Sequence, residues 1–246
     1  MMYDPTTDRY HLHYQWHPNH VNWGNISWGH ATSKDMITWT DVGGWEDDQA
    51  QSVGTGPFPD SDNSSYYGLG IFSGSAQPVN LQGQQDGTLI AFYTSVQYLP
   101  TNWALPYIKG TESQSIVISN DGGETWEQYA GNPIMTEPPS GWNITGWRDP
   151  FVEVCHPSEN IVFSITDSYK PWPEMDALLG QEEPHWYMVL GSGIKGEGGG
   201  GRIPFYSAPA SNLTDWTFLG ALWEPERNET LGSLIETGTY GFNFEV

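Results

Sequence analysis

The sequence is poor in cationic side chains and in cysteine. Its 246 residues include 8 lysines and arginines against 30 aspartates and glutamates, a formal net charge of −22. Such a chain repels the phosphate backbone of nucleic acids and anionic lipid surfaces, so it favours a neutral ligand over either partner. The single cysteine, Cys155, excludes an internal disulfide framework and argues against a cysteine-based metal site.

Long apolar runs are missing as well. No stretch approaches the length of a membrane span, and no charged segment followed by an apolar one opens the chain. If the protein is secreted, we therefore expect its signal to lie upstream of this sequence. Secretion as a glycoprotein is compatible with five Asn-X-Ser/Thr sequons, which begin at Asn25, Asn63, Asn143, Asn212 and Asn228.

Aromatic and turn-forming residues are abundant, with 13 Trp, 13 Tyr, 29 Gly and 18 Pro. This composition favours many short strands joined by tight turns. Sugars stack on aromatic rings, so it also fits a carbohydrate-binding protein, although the same rings fill the cores of β-sheets. No stretch has the pattern of an amphipathic helix, and the predicted class is all-β. Strand-like segments occupy residues 10–15, 88–93, 114–118, 161–165 and 186–190.

A repeat of roughly ninety residues organises these strands. Residues 31–39, 118–126 and 208–216 share a small or polar residue, a turn and a final tryptophan. This spacing is consistent with four-stranded propeller blades that carry long loops, each repeat forming an outer hairpin. A fourth blade begins at residues 240–246. Because a propeller must close its ring to protect its strand edges, we expect about three and a half blades of a longer protein, cut at both ends.

Three acidic residues stand at the beginning of successive blades, namely Asp4, Asp149 and Glu245. The first strand of each propeller blade lines the central channel, so carboxylates from distant blades converge at its mouth. Cleavage of a glycosidic bond uses a pair of carboxyl groups, one to protonate the leaving oxygen and one to attack or to stabilise the oxocarbenium ion. The pattern therefore favours a glycosidase.

Five blocks make the resemblance specific. The blocks are Met-Tyr-Asp-Pro at residues 2–5, residues 10–15, residues 23–31, Phe-Ser-Gly-Ser-Ala within 71–76 and Arg-Asp-Pro at 148–150. They resemble motifs of glycoside hydrolase family 32, the invertases, inulinases and fungal fructosyltransferases. This resemblance implies a five-bladed propeller that carries the catalytic site and acts without metal or cofactor. Residues 1–246 are then a single catalytic propeller domain, without the β-sandwich that relatives carry.

The resemblance also implies roles for the three carboxylates. Asp4 is the expected nucleophile, although Tyr3 stands where the family usually has asparagine. Asp149 holds the 3- and 4-hydroxyls of fructose and stabilises the transition state. Glu245 is the expected acid/base. The implied reaction is the retaining cleavage of terminal β-D-fructofuranosides such as sucrose, by a secreted or vacuolar enzyme.

Five further residues are expected to bind the substrate. By resemblance, Gln15 and Trp23 contact the fructosyl unit, while Phe72 and Ser73 form the inner wall of the second blade. Arg148 precedes Asp149. A buried arginine in that position is expected to keep the Asp149 carboxyl ionised, because a nearby positive charge favours the charged form.

Other interpretations stay open. Residues 92–100 and 112–114 resemble the fungal fructosyltransferase branch, which makes transfer to a sugar an alternative to hydrolysis. An inactive sugar-binding propeller is a third possibility. Metal binding is suggested by alternating imidazoles at His11, His13, His17 and His20. The glycine-rich residues 191–201 lack the Gly-Lys-Ser/Thr ending of a phosphate loop and are interpreted as a hairpin connection.

Overall fold

The computed structural model describes residues 1–16, 26–43, 70–96, 107–153, 173–195 and 200–224. Within these ranges, three four-stranded sheets follow one another along the chain, and consecutive strands are antiparallel neighbours in each. This is the arrangement of propeller blades, and the predicted all-β class and blade architecture are confirmed. The start of a fourth blade at residues 240–246 lies outside the described residues.

Each sheet ends on a short or exposed outer strand. The first contains Met2–Asp4 (β1), Arg9–Trp16 (β2), Ser27–Ser33 (β3) and Thr40–Asp41 (β4). The second contains Gly70–Gln77 (β5), Leu89–Val96 (β6), Glu112–Ser119 (β7) and Glu127–Gln128 (β8). The third contains Ile144–Glu153 (β9), His185–Ile194 (β10), Gly200–Pro209 (β11) and Thr217–Trp223 (β12). Three of the predicted strands fall within β2, β7 and β10, and the one predicted at 88–93 begins one residue before β6. Residues 161–165 lie outside the described part.

The repeated tryptophans mark the connection between the third and fourth strand of each blade. Trp39, Trp126 and Trp216 immediately precede β4, β8 and β12. The indole N–H groups of Trp126 and Trp216 donate to main-chain carbonyls three residues earlier, at 3.2 and 2.8 Å. Carboxylates of Asp35 and Asp121 accept main-chain amides of the same turns. The prediction that each repeat forms an outer hairpin is confirmed.

Large aromatic side chains fill the spaces between neighbouring blades. Phe92, Trp147 and Trp186 belong to a cluster between the second and third sheets, and each is at most 1% exposed. Trp28 and Tyr93 belong to a smaller cluster between the first and second sheets. Burying a large aromatic side chain contributes on the order of 2–3 kcal/mol, so these rings stabilise the contacts between blades, together with the aliphatic side chains of the same clusters.

In the part of the chain that the structure describes, one short helix interrupts the strands. Pro173–Leu179 (α1) precedes β10, and its two turns are too short to produce a helical periodicity in the sequence. The Asp176 carboxylate accepts the Tyr187 hydroxyl at 2.6 Å and the His185 amide at 3.2 Å, which fixes α1 on β10. No helix in the described ranges is long and apolar enough to cross a membrane.

The glycine-rich stretch connects two adjacent strands. Ile194 at the end of β10 pairs with Gly200 at the start of β11, and Gly193 pairs with Gly201. The interpretation of this stretch as a hairpin connection is confirmed.

Candidate active site

A cavity of about 360 Å³ is enclosed by residues of all three sheets. Its walls come chiefly from β5 and β9, the first strands of their sheets, and from β2, the second strand of the first sheet. The residues that line it are Met1, His13, Tyr14, Gln15, Ile26, Trp28, Ile71, Phe72, Ser73, Gly74, Ser75, Ala76, Arg148 and Asp149.

A β-bulge in β5 turns two side chains toward the cavity. Ile71 pairs with Ser95 and Gly74 pairs with Tyr93, so β5 carries one residue more than β6 between these pairs. A bulge of this kind bends the strand and changes the direction of its side chains, here at positions 72 and 73. Only glycine fits at position 74, because a Cβ there would overlap the carbonyl oxygen of Phe92.

A second bulge in β9 presents Asp149. Val189 pairs with Phe151 and Gly191 pairs with Arg148, so β9 also carries one extra residue. Asp149 has a φ of 61°, in the left-handed region. This conformation costs most residues about 1–2 kcal/mol and is tolerated by aspartate better than by most. The main-chain amide of Asp149 donates to the Thr94 hydroxyl at 2.9 Å, which holds the turn.

Side chains of β5 bridge to the main chain of β9. The Ser75 hydroxyl donates to the Pro150 carbonyl at 3.0 Å and accepts the Val152 amide at 2.9 Å. The Gln77 side-chain amide donates to the Val152 carbonyl at 2.6 Å. These bonds satisfy main-chain groups of β9, the edge strand of its sheet, and they join the two inner strands on which the cavity depends.

Arg148 forms an ion pair on the far side of the cavity wall. Its Nε and Nη2 each lie 2.5 Å from Oε1 of Glu112, whose side chain is fully buried. The guanidinium carbon lies 5.9 Å from the centroid of the Phe72 ring, within the range of a cation–π contact. Glu112 balances the positive charge of Arg148. The expected effect of Arg148 on the ionisation of the Asp149 carboxyl stays a prediction.

Five of the predicted site residues meet at the cavity: Gln15, Phe72, Ser73, Arg148 and Asp149. They come from three different blades and from positions up to 134 residues apart in the sequence (149 − 15 = 134). Four of them lie on the first strands β5 and β9, as predicted for inner strands, while Gln15 lies on the second strand of its blade. Asp4 and Asp149 belong to the first and third sheets rather than to successive ones. Trp23 and Glu245 lie outside the described residues, so their predicted roles stay predictions.

The structure does not bring Asp4 to the cavity. Asp4 is 1% exposed and pairs with Arg9, at the hairpin end of β1 remote from Gln15. Its Oδ1 accepts the Thr6 amide at 2.8 Å, and its Oδ2 accepts the Thr7 hydroxyl at 2.6 Å. Both carboxylate oxygens thus stabilise the turn that follows β1. This position does not support the predicted role of Asp4 as nucleophile.

We expect Asp4→Asn to leave kcat for sucrose, the substrate that the sequence resemblance implies, within about threefold of the unchanged protein, because the carboxylate does not line the cavity. The carboxamide keeps one acceptor oxygen but not both, so the free energy of unfolding should fall by about 1 kcal/mol. Initial rates and urea unfolding of the full protein would measure the two quantities. A loss of activity by three orders of magnitude at unchanged stability would restore Asp4 as the nucleophile.

The imidazoles form a buried stack between blades. The ring centroids of His13 and His30 lie 4.4 Å apart, and His11 Nδ1 lies 2.9 Å from His30 Nε2. The edge of Trp126 from the second blade packs against His13. Burial lowers the pKa of all three imidazoles, that of His30 to about 3. Among the described residues, no group of three His, Cys, Asp or Glu side chains is placed to hold a metal ion.

Sequence reasoning missed three residues that shape the site. Glu112 neutralises Arg148, Ser75 links β5 to β9, and the Trp28 indole donates to the Phe72 carbonyl at 3.1 Å. The sequence gives one indication of the role of Glu112. It is the one charged residue in an otherwise uncharged strand, and a buried carboxylate needs a partner of opposite charge. The contacts of Ser75 and Trp28 depend on how the blades pack and left no such signal.

Comparison with known proteins gives consistent matches. The model of the glycosyl hydrolases family 32 N-terminal domain matches residues 1–170. The levanase of Bacillus subtilis (strain 168) is 31% identical over 230 residues, covering 87% of this chain and 24% of that protein. The extracellular exo-inulinase of Aspergillus niger is 39% identical over 175 residues, covering 65% of this chain and 30% of that protein.

A solved structure shows the same similarity in three dimensions. The β-fructofuranosidase of Aspergillus kawachii, complexed with glycerol, superposes with a TM-score of 0.64 at 29% sequence identity. The match covers 91% of this chain and 30% of that one. This chain therefore spans between a quarter and a third of the length of the relatives described here.

Proposed function

Because the chain belongs to glycoside hydrolase family 32, we propose that its protein is a retaining glycosidase that hydrolyses terminal β-D-fructofuranosides, such as sucrose and related fructans. The observation that carries this proposal is the convergence of Gln15, Phe72, Ser73, Arg148 and Asp149 on one cavity. Its volume lies in the range of about 300–1,000 Å³ that is usual for small-molecule sites.

Asp149 is the transition-state stabiliser of this proposal. Its carboxylate accepts hydrogen bonds from the 3- and 4-hydroxyls of the fructosyl ring, and its negative charge opposes the positive charge that develops as the glycosidic bond breaks. Asp149 is the one carboxylate among the described residues that line the cavity. Gln15 and Trp23 contact the same fructosyl unit, and the Phe72 and Ser73 bulge forms the facing wall.

The reaction proceeds in two displacements. A carboxylate attacks the anomeric carbon of the fructosyl unit while Glu245 donates a proton to the departing sugar oxygen. Glu245 then takes a proton from water, whose oxygen attacks the same carbon and restores the free carboxylate. The sequence resemblance predicts Asp4 as the attacking carboxylate, but Asp4 does not line the cavity, so this proposal assigns the attack to no described residue and the Asp4→Asn variant tests the prediction. The reaction needs no cofactor.

Product analysis with sucrose tests the activity. Hydrolysis should release glucose and fructose in equal amounts throughout the time course, including at high sucrose concentration. Free glucose in excess of free fructose would show transfer of the fructosyl unit to a sugar acceptor. Residues 92–100 and 112–114 favour that alternative, because they resemble the fungal fructosyltransferase branch. Binding of sucrose without release of either product would identify an inactive sugar-binding propeller.

Location and domain organisation complete the proposal. Residues 1–246 belong to one catalytic propeller domain, supported by the apolar clusters that join consecutive sheets. The protein is secreted or vacuolar. Secretion is supported by the extracellular exo-inulinase of Aspergillus niger among its relatives and by the exposed sequon residues Asn143 and Asn212.

A further inference from the structure

A buried carboxylate lies directly behind the cavity wall. Glu112 is the first residue of β7, is 0% exposed and does not line the cavity. Its Oε2 accepts the main-chain amide of Trp147 at 2.6 Å, while its Oε1 accepts Arg148 Nε at 2.5 Å. One side chain of the second blade therefore binds two consecutive residues of the third, immediately before Asp149.

Two neighbouring side chains extend this contact. The Gln114 side-chain amide donates to the Trp147 carbonyl at 2.8 Å. The Thr94 hydroxyl donates to Gln114 Oε1 at 2.8 Å and accepts the Asp149 amide at 2.9 Å. Thr94, Glu112 and Gln114 are all buried, so they hold three main-chain groups of the β9 bulge in a region that excludes water.

The charge of Glu112 distinguishes it from the other two side chains. A neutral side chain can bind the Trp147 amide, but only a carboxylate also balances a guanidinium that lies mostly away from solvent. Without that balance, Arg148 would move toward water or toward another acid. Asp149 follows it in the chain, and its left-handed conformation leaves little freedom to compensate.

We propose that Glu112 is a positioning residue for the reaction. It holds the Arg148 guanidinium against Phe72 and fixes the β9 bulge from which Asp149 reaches the fructosyl unit. It acts through Arg148 and the Trp147 amide, without contacting the substrate. This inference rests on the proposed function, because its effect is exerted on the cleavage of a fructoside.

The test compares kcat and KM for sucrose in the full protein carrying Glu112→Gln, Arg148→Gln or both changes. Glu112→Gln should lower kcat about 10- to 100-fold, since misplacing a catalytic group by about 1 Å costs up to about 100-fold. KM should change less than kcat, because the lost geometry serves the transition state. The fold-loss of kcat in the double variant should be smaller than the product of the fold-losses in the two single variants. The exposed Glu127, in the same sheet, provides the control Glu127→Gln, which should retain the original kcat.

A variant that keeps the charge guards against a failure to fold. Glu112→Asp leaves the ion pair possible but withdraws the carboxylate by one methylene, and folded protein with reduced kcat would support the proposal. The proposal is overturned if folded Glu112→Gln or Glu112→Asp protein keeps kcat within twofold of the original. It is also overturned if the fold-loss of kcat in the double variant equals the product of the fold-losses in the two single variants. Absence of cleavage of any fructoside by the unchanged protein would overturn the proposed function, and this inference with it.

Discussion

Asp149→Asn is expected to lower kcat/KM for sucrose by about 10²- to 10⁴-fold in the full protein. A hydrogen bond to a charged group contributes about 1.5–3 kcal/mol, and the proposed role of Asp149 involves two of them. Each 1.36 kcal/mol of lost transition-state stabilisation corresponds to about a tenfold change in rate. Asparagine also tolerates the left-handed conformation found at position 149, so the β9 bulge should persist. Initial rates of glucose release at sucrose concentrations below KM would measure the loss.

The chain contains its own matched control for this change. Asp4 also precedes a proline, and Asp4→Asn removes the same charge at a position that does not line the cavity. A large loss with Asp149→Asn alongside a small one with Asp4→Asn would assign the effect to the cavity. If Asp149→Asn retained kcat/KM within tenfold, Asp149 would not be the stabilising carboxylate.

Acidification is expected to destabilise the first two blades well above the pH at which carboxylates titrate. Burial holds the pKa of His11, His13 and His30 below the ordinary value of 6.5, and that of His30 at about 3. Below pH 6.5 the unfolded chain binds protons that the folded chain does not, so stability falls as the pH falls from about 6.5 toward 3. The His30 imidazole contributes up to about 1.4 kcal/mol per pH unit over this range, and the lowered pKa values of His11 and His13 act in the same direction.

Urea unfolding of the full protein at pH 7, 6 and 5, followed by tryptophan fluorescence, would measure this dependence. His30→Phe is the informative variant, because it keeps a planar ring between His11 and His13 and removes one titrating group. Its pH dependence should be weaker by about 1.4 kcal/mol per pH unit. An identical slope in the variant and the unchanged protein would mean that the stack does not cause the acid sensitivity.

The blade architecture was predictable because its signals are local. Each repeat that ends in Trp39, Trp126 or Trp216 forms its turn within a few residues, and indole and carboxylate groups bind main-chain atoms of the same turn. Such hydrogen bonds leave a pattern that can be read from consecutive residues. Asp149 was predicted from its tripeptide and lines the cavity, while its catalytic role stays a prediction.

The locations of Asp4 and Glu112 relative to the cavity could be known only once the pairing of the strands was known. An Asp-Pro pair occurs in two settings here, a hairpin turn after β1 and a bulge within β9, and only the register of each strand distinguishes them. Glu112 meets Arg148 across 36 residues of sequence and between two blades. Local pattern cannot reveal such an ion pair, because its geometry arises from the packing of the sheets.

The Ser75 hydroxyl, which binds both Pro150 and Val152, makes a side chain of β5 part of the hydrogen-bond ladder of β9. Separating the two strands would leave buried main-chain groups unpaired, so they behave as one cooperative unit in native-state opening. Phe72 and Ser73 on one strand and Arg148 and Asp149 on the other are therefore exposed together. Opening the cavity on this side therefore requires the two blades to separate along the contact between β5 and β9.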